Sequence, residues 1–230
     1  MKFGVVTFPG SNCDQDLIHI LKNILHCDTV NLWHKSTDLQ GCDMIFLPGG
    51  FSYGDYLRTG AIAKFSPIMQ EIITFANQGG IVMGICNGFQ ILCEAGLLPG
   101  VLIRNQNMQF ICENVFIKTV NTQTLITRNL PKQVLKIPIA HAEGNYYCDS
   151  ETLKSLQDNE QILFQYCDEE GNVTKEANPN GSLLNIAGIA NSKKNVFGMM
   201  PHPERAADPW LRNQDGLHIF QSILLQKVSL

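Results

Sequence analysis

The first half of the chain alternates short apolar runs with segments of helical spacing, and this alternation restricts the fold more than any other feature. Lys2 to Phe8 is rich in β-branched and aromatic residues, which predicts a strand. Ser11, with Asp14 three residues later, resembles a capping box and predicts the start of a helix. Apolar residues then recur at the spacing of one helical face; they are Leu17, Ile20, Leu21, Ile24 and Leu25.

The same two patterns repeat as far as Ile85. Strands are predicted at Thr29 to Trp33, Met44 to Leu47 and Ile81 to Ile85, and the last contains no polar side chain, as is typical of a strand buried on both faces. The helix predicted before it has apolar positions at Ile68, Ile72, Phe75 and Ala76 and ends at Gly79-Gly80. Strands that alternate with helices favour a parallel sheet. We therefore expect an α/β fold with a mostly parallel central sheet flanked by helices.

The second half is less regular, but it contains further strand-like runs. Strands are predicted at 110–120, 134–140, 161–166, 184–190 and 196–200, helices near 151–156 and at 215–227, and a loop or hairpin at 168–181. No internal repeat, low-complexity tract or linker divides the chain. We therefore expect a single domain spanning residues 1–230.

Composition excludes several classes of protein. The chain carries 17 Lys and Arg against 21 Asp and Glu, a formal net charge of -4, with no basic cluster that would follow a phosphate backbone, which argues against nucleic-acid binding. The apolar run at the N-terminus is too short for a signal peptide, and no stretch approaches the roughly 18 apolar residues of a membrane span. These features predict a soluble, cytoplasmic protein that binds neither nucleic acid nor membrane.

The eight cysteines show no metal-binding spacing. They contain no Cys-x-x-Cys pair and have no paired histidines, which argues against structural zinc, so most are expected to be buried free thiols. Cys86 differs because Gly84-Ile85-Cys86-Asn87-Gly88 follows the buried strand and precedes a helical segment. This pattern is typical of a tight turn that lifts a nucleophile above the edge of a sheet, next to a helix N-terminus that stabilises a thiolate.

A thiolate nucleophile needs a base, and the base needs a partner that orients it. His202 lies in Met200-Pro201-His202-Pro203-Glu204, directly after a predicted strand, and the two-residue spacing lets the Glu204 carboxylate reach the imidazole. Cys86, His202 and Glu204 are therefore the predicted catalytic residues. Four other histidines are expected in solvated or capping roles; they are His19, His26, His34 and His218.

Acyl transfer also requires hydrogen-bond donors for the oxyanion. The backbone N–H of Asn87, the residue after the nucleophile, is one candidate. The turn Pro48-Gly49-Gly50-Phe51 follows the third strand and offers a second donor through Gly50 or Phe51. Taken alone, this turn would be ordinary.

Three motifs together resemble the class I glutamine amidotransferases. They are Pro48-Gly49-Gly50, Gly84-Ile85-Cys86-Asn87-Gly88-Phe89-Gln90 and His202-Pro203-Glu204, in that order. The resemblance implies a flavodoxin-like architecture and a catalytic triad in which Cys86 attacks the side-chain amide of glutamine to form a γ-glutamyl thioester. It also implies that His202 protonates the departing ammonia and then activates water, and that Glu204 orients His202. Gln90 would help to hold the substrate, and an exposed glutamine on the helix surface is the alternative interpretation of this residue.

Three further stretches narrow the resemblance to glutaminase subunits of a multi-subunit synthase in de novo purine synthesis. They are residues 51–58, 138–146 and 199–205. In that group the ammonia passes to a large ATP-dependent synthetase subunit, with a small third subunit in the assembly. Because no G-x-x-x-x-G-K-[ST] loop is present, ATP and magnesium are expected on the synthetase partner, with no cofactor on this chain. Gln109 and Ala142 depart from the pattern, which has a basic residue and a glycine there.

Two other classes of protein remain as alternatives. A different cysteine hydrolase of similar architecture, such as a γ-glutamyl peptidase or a protein of the DJ-1 type, would keep the nucleophile turn but need not keep the glutamine pocket or the partner surface. A non-catalytic regulatory subunit would more readily have lost Cys86, His202 or Glu204, and all three are present. The sequence therefore favours the glutaminase.

Overall fold

A computed structural model describes residues 1–225, which form two compact units. The first unit comprises Met1–Pro99 and Asn195–Gly198, and the second comprises Gly100–Lys194 and the chain from Met199 onward. That the whole chain acts as one domain stays a prediction. No helix within residues 1–225 is both long enough and apolar enough to cross a membrane.

The structure contains strands, α-helices and shorter helical turns. The strands are β1 (Lys2–Thr7), β2 (Asp28–Trp33), β3 (Met44–Leu47), β4 (Ile81–Ile85), β5 (Val101–Ile103), β6 (Ile111–Thr119), β7 (Val134–His141), β8 (Asn145–Tyr147), β9 (Ile162–Cys167), β10 (Ile186–Ala190) and β11 (Val196–Met199). The α-helices are α1 (Asp14–His19), α2 (Pro67–Asn77), α3 (Asn87–Glu94), α4 (Ser150–Asp158) and α5 (Leu217–Leu225). A π-helical segment, Ile20–Ile24, continues α1.

The first unit has the parallel sheet that the sequence predicts. Its strand order is β2-β1-β3-β4-β11, and β1 pairs with β2 and β3, and β3 with β4, all in parallel. Every side chain of β3 is buried, and β4 is buried from Val82 to Ile85. Because parallel strands end at the same edge of a sheet, the turns that follow β1, β3 and β4 lie side by side. This edge carries the nucleophile turn.

The second unit is built on antiparallel pairs. Its strand order is β10-β9-β6-β7, and each pairing of β9 with β10 and of β6 with β9 and β7 is antiparallel. Buried and exposed residues alternate along β7, so that Leu135, Ile137 and Ile139 face the core. A separate antiparallel pair joins β5 to β8, two short strands that the sequence did not predict.

Two local predictions are wrong for identifiable reasons. Ser11 does not cap α1, because its hydroxyl donates to the Phe8 carbonyl and accepts from the Phe8 N–H, each at 2.9 Å, and so closes the turn after β1. The strand predicted from residue 184 begins at Ile186, because Leu184 lies in a 3-10 turn with a φ of 49°. The closing helix was predicted to reach Lys227, and Gln226 and Lys227 lie outside the described residues.

Asn195 ties together elements of the first unit that are distant in sequence. Its side-chain amide donates to the carbonyls of Ala76 and Gly80, both at 2.8 Å. We expect Asn195→Ala to lower the free energy of unfolding by about 1 to 3 kcal/mol, because the buried bond to Ala76 and the partly buried bond to Gly80 are both lost. Urea denaturation measures the change. Gln78→Ala, an exposed change beside the same loop, is the control and should alter stability by less than about 0.5 kcal/mol; equal effects would contradict this account.

Candidate active site

Cys86 occupies a strained turn between β4 and α3. Its φ of 50° and ψ of -105° lie in a region that residues with a side chain rarely adopt. The side chain is 4% exposed, and the Cys86 carbonyl accepts from the N–H groups of Phe89 and Gln90, at 3.0 and 3.2 Å. Such strain persists where the surrounding structure holds it, and it is frequent at functional sites. The conformation is that of the nucleophile turn predicted from the sequence.

Close backbone packing explains the two glycines of this turn. A Cβ on Gly84 would lie 2.5 Å from the carbonyl of Gly88, and a Cβ on Gly88 would overlap the carbonyl of Leu47. Leu47 ends β3 and pairs in register with Gly84. The glycines therefore let α3 begin directly against the neighbouring strand, which fixes the position of Cys86 between them.

The turn that follows β3 is packed against the turn that follows β1. Gly50 has a φ of 128°, and a Cβ there would lie 2.6 Å from the Asn12 nitrogen. The Phe51 N–H donates to the Gly10 carbonyl at 2.8 Å, and the Phe51 side chain is 48% exposed. Of the two predicted oxyanion donors in this turn, Phe51 already has an acceptor for its N–H group, which favours Gly50.

Asn87 and Gln90 lie on the inner side of α3. Asn87 is fully buried, and its side-chain oxygen accepts from the Ser52 N–H at 3.1 Å. Its side-chain nitrogen donates to Gln90 Oε1 at 3.0 Å. Gln90 is only 4% exposed, so the alternative of an exposed glutamine on the helix surface is wrong. These contacts join the turn after β3 to the start of α3.

His202 and Glu204 form a buried pair in the second unit. His202 Nδ1 lies 2.6 Å from Glu204 Oε1, and both side chains are almost completely buried. The His202 N–H donates to the Pro138 carbonyl at 2.8 Å, and the 3-10 turn Pro203–Ala206 places the carboxylate two residues later beside the ring. A carboxylate on Nδ1 fixes the tautomer, which leaves Nε2 as the atom that can exchange a proton.

A second histidine of the same unit, His141, lies in a buried polar network. Its Nδ1 is 3.1 Å from Asn105 Oδ1, which also accepts from the Gly144 N–H. Asn180 Nδ2, which donates to the Gly144 carbonyl, is 3.5 Å from His141 Nε2. The backbone contacts fix both amides, so the network fits a neutral imidazole with its proton on Nδ1. Burial and, secondarily, the charge of His202 lower the pKa of His141 to about 4.

The two departures from the family pattern contact this network only through their backbone. The Asn105 N–H donates to the Ala142 carbonyl at 2.9 Å, and Asn105 Nδ2 donates to the Gln109 carbonyl at 2.8 Å. Any residue supplies a carbonyl, and Ala142 does not adopt a positive φ. Alanine at 142 and glutamine at 109 therefore preserve these contacts.

Sequence reasoning missed two buried histidines. His34 was expected in a solvated or capping role, but this prediction is wrong because its side chain is 3% exposed and packs against the rings of Trp33 and Tyr53. His141 was not singled out, although it ends the strand predicted at 134–140, the same strand-end position that drew attention to His202. Its position at a strand end was the available signal.

The neutral state of His141 predicts a dependence of stability on pH. Its pKa of about 4 lies below the usual 6.5, so between these values the unfolded chain binds the proton and the folded chain does not. The contribution of His141 to stability should therefore be fully present above this window and be lost as the pH drops through it, by about 3 kcal/mol in all. Urea denaturation of His141→Gln should show a shallower slope, and the exposed His26→Gln the parent slope. An unchanged slope in His141→Gln would contradict this assignment.

The predicted site residues fall into two groups, one in each unit. The turn after β3 and the start of α3 place Gly50, Phe51, Cys86, Asn87 and Gln90 in the first unit. His202 and Glu204 belong to the second unit. The structure thus shows the nucleophile turn and the histidine-carboxylate pair, each formed within its own unit, and their joint action as a triad is a proposal.

Comparisons with known proteins give consistent matches along the chain. A model of the CobB/CobQ-like glutamine amidotransferase domain matches residues 1–222. The chain is 57% identical over 221 residues to the phosphoribosylformylglycinamidine synthase subunit PurQ of Synechocystis sp., covering 96% of this chain and 99% of that protein. It is 56% identical over 225 residues to the subunit of the same name from Moorella thermoacetica, covering 97% and 95%.

A solved structure is similar over almost the same extent. A chain of the PurLQS structure from Thermotoga maritima superimposes with a TM-score of 0.86 at 40% identity, covering 98% of each chain. This similarity confirms the predicted α/β fold of the class I glutamine amidotransferases. The chain therefore belongs to the CobB/CobQ-like glutamine amidotransferase domain family.

Proposed function

We propose that this chain is the glutaminase subunit of a phosphoribosylformylglycinamidine synthase. It hydrolyses glutamine to glutamate and ammonia and supplies the ammonia to an ATP-dependent synthetase subunit in de novo purine biosynthesis. The observation that carries the proposal is the strained turn that holds Cys86 at the start of α3. Relatives at 57% and 56% identity that bear this subunit's name support the choice of synthase.

In the proposed reaction, the Cys86 thiolate attacks the side-chain carbonyl carbon of glutamine. The carbonyl electrons move to the oxygen, and the tetrahedral intermediate collapses to a γ-glutamyl thioester as the C–N bond breaks. Protonated His202 gives its proton to the departing nitrogen, which leaves as ammonia. His202 then removes a proton from water, which attacks the thioester and releases glutamate and the thiolate.

Glu204 acts through the imidazole rather than on the substrate. Its bond to His202 Nδ1 at 2.6 Å holds the proton on that nitrogen, so that Nε2 faces the reaction. The carboxylate also stabilises the imidazolium, which is present before His202 protonates the departing nitrogen and forms again when His202 takes a proton from water. Because both side chains are almost completely buried, little water screens this interaction.

The oxyanion is stabilised by backbone N–H groups of the first unit. Asn87 N–H follows the nucleophile, and Gly50 N–H lies in the turn after the neighbouring strand β3. Phe51 was the alternative to Gly50, and its bond to Gly10 makes it the weaker candidate. Gln90, buried beside Asn87, contributes to the wall of the glutamine site.

The proposed function also implies which other subunits this chain binds. The chain binds a large synthetase subunit and a small third subunit, and the synthetase holds ATP and magnesium. The similarity to a chain of the PurLQS structure supports such a complex. Because purine synthesis supplies the interior of the cell, we place the protein in the cytoplasm.

The nucleophile is tested by Cys86→Ala in the assembled synthase. Glutamine hydrolysis should fall by at least about 10³-fold, because no other group can form the thioester. Synthesis with added ammonia should survive, since it bypasses this chain. Cys112→Ala, which changes an exposed thiol, is the control and should behave as the parent. Near-normal hydrolysis by Cys86→Ala would refute the mechanism.

The relative losses of activity in variants of Glu204 and His202 distinguish a catalytic triad from a dyad of Cys86 and His202. Glu204→Gln should lower the turnover of glutamine by about 10- to 1,000-fold, and His202→Ala should be more severe, because it removes the base itself. Steady-state glutaminase assays of the assembled synthase compare the two, with the exposed Glu170→Gln as the control. Full activity in Glu204→Gln would make the carboxylate a bystander.

A further inference from the structure

The segment after the Gly50 turn contains an unusual concentration of left-handed backbone. Tyr53, Asp55 and Leu57 have φ values of 56°, 54° and 71°, and none of them is glycine. Residues with a side chain rarely adopt this region, and it persists only where surrounding contacts hold it in place. The contacts of Tyr53 therefore show what holds this segment in its left-handed conformation.

Tyr53 is held by two buried side chains. Its hydroxyl oxygen lies 2.7 Å from His34 Nδ1 and 2.8 Å from Ser66 Oγ. His34 and Ser66 are each 3% exposed. The Tyr53 hydroxyl can donate one hydrogen bond and accept another, so its two neighbours can serve as one acceptor and one donor. Ring packing adds to these bonds, since the His34 and Tyr53 centroids are 5.5 Å apart in an edge-to-face arrangement.

His34 is itself fixed in the first unit. Its N–H donates to the Thr7 carbonyl at 3.1 Å, and its carbonyl accepts from the Ile68 N–H at 3.2 Å. It thus joins the end of β1 to the start of α2. Burial, followed by the charge of Lys35, lowers the pKa of His34, which keeps the ring neutral at neutral pH. A neutral, immobile ring is a rigid anchor for the tyrosine hydroxyl.

The neighbours of Tyr53 in the chain contact the start of α3. The Ser52 N–H donates to Asn87 Oδ1 at 3.1 Å, and Asn87 Nδ2 lies 3.4 Å from Asp55 Oδ1. Asn87 is the residue whose backbone N–H follows the nucleophile. A displacement of Tyr53 would therefore move Ser52 and Asp55, and with them the two turns that carry the proposed oxyanion donors.

We infer that Tyr53, anchored by His34 and Ser66, is a positioning residue for the glutaminase reaction. It sets the Gly50 turn against Asn87 and touches no reacting atom itself. This inference rests on the proposed function. Oxyanion donors act only when they are aligned with the charge that develops in the transition state, and small displacements are costly. Loss of the tyrosine hydroxyl should therefore slow turnover more than it weakens substrate binding.

The test compares two reactions of Cys86 in the assembled synthase. Glutamine hydrolysis passes through an oxyanion. Alkylation by iodoacetamide does not, because the thiolate attacks a methylene carbon as the C–I bond breaks and iodide leaves. Tyr53→Phe should lower kcat for glutamine by about 10- to 100-fold. KM and the rate of Cys86 alkylation should stay within about twofold of the parent values, with exposed Cys112 as the internal reference for labelling.

Further variants separate positioning from general damage. Tyr56→Phe removes a hydroxyl from a tyrosine that is 74% exposed three residues later in the same segment, and it should match the parent. His34→Asn keeps a polar atom near the position of Nδ1 and should retain more turnover than His34→Leu.

Three results would overturn the inference. Parent-like turnover in Tyr53→Phe would mean that the hydroxyl has no positioning role, and equal losses of hydrolysis and alkylation would indicate local unfolding. Both results leave the proposed function intact as long as the parent hydrolyses glutamine and Cys86→Ala does not. If the assembled parent fails to hydrolyse glutamine, the proposed function fails and this inference fails with it.

Discussion

The parallel pairing of β3 with β4 fixes the position of Cys86, the proposed nucleophile, and constrains the residues around it. Leu47 pairs with Gly84, and the helix that follows β4 begins so close to β3 that Gly88 lies against the Leu47 carbonyl. No side chain fits at either glycine. This close approach forces Cys86 into its strained conformation and brings the turn after β3 beside the first residues of α3.

The first unit supports that arrangement from the side of β1. The turn after β1 accepts the Phe51 N–H at Gly10, and the end of β2 supplies His34 to the hydroxyl of Tyr53. Backbone strain in this segment is thus offset by hydrogen bonds to the turn that follows β1 and to the residue that follows β2. These bonds hold the turn in one conformation, which suits the oxyanion role proposed for it, since donors that must reorganise during the reaction contribute less.

The second unit places two histidines in different electrostatic environments. His202 has a carboxylate on Nδ1 and is suited to take up and release a proton. His141 has amide partners on both ring nitrogens, and burial keeps it neutral. The contrast comes from the partner of each ring, because a carboxylate stabilises the imidazolium and a side-chain NH₂ group opposes protonation.

The sequence by itself determined three features: the order of parallel strands and helices, the glycines around Cys86, and the two-residue spacing of His202 and Glu204. Each of these features depends on residues that are close together in the chain. Only the tertiary structure decided that Gln90 is buried, that the Phe51 N–H donates to the Gly10 carbonyl, and that His34 and His141 are buried and hydrogen-bonded. The hydrogen-bond partners of the two histidine rings lie 19 to 39 residues away in the chain. No local period encodes such contacts, since they arise when separate strand ends meet at one edge of a sheet.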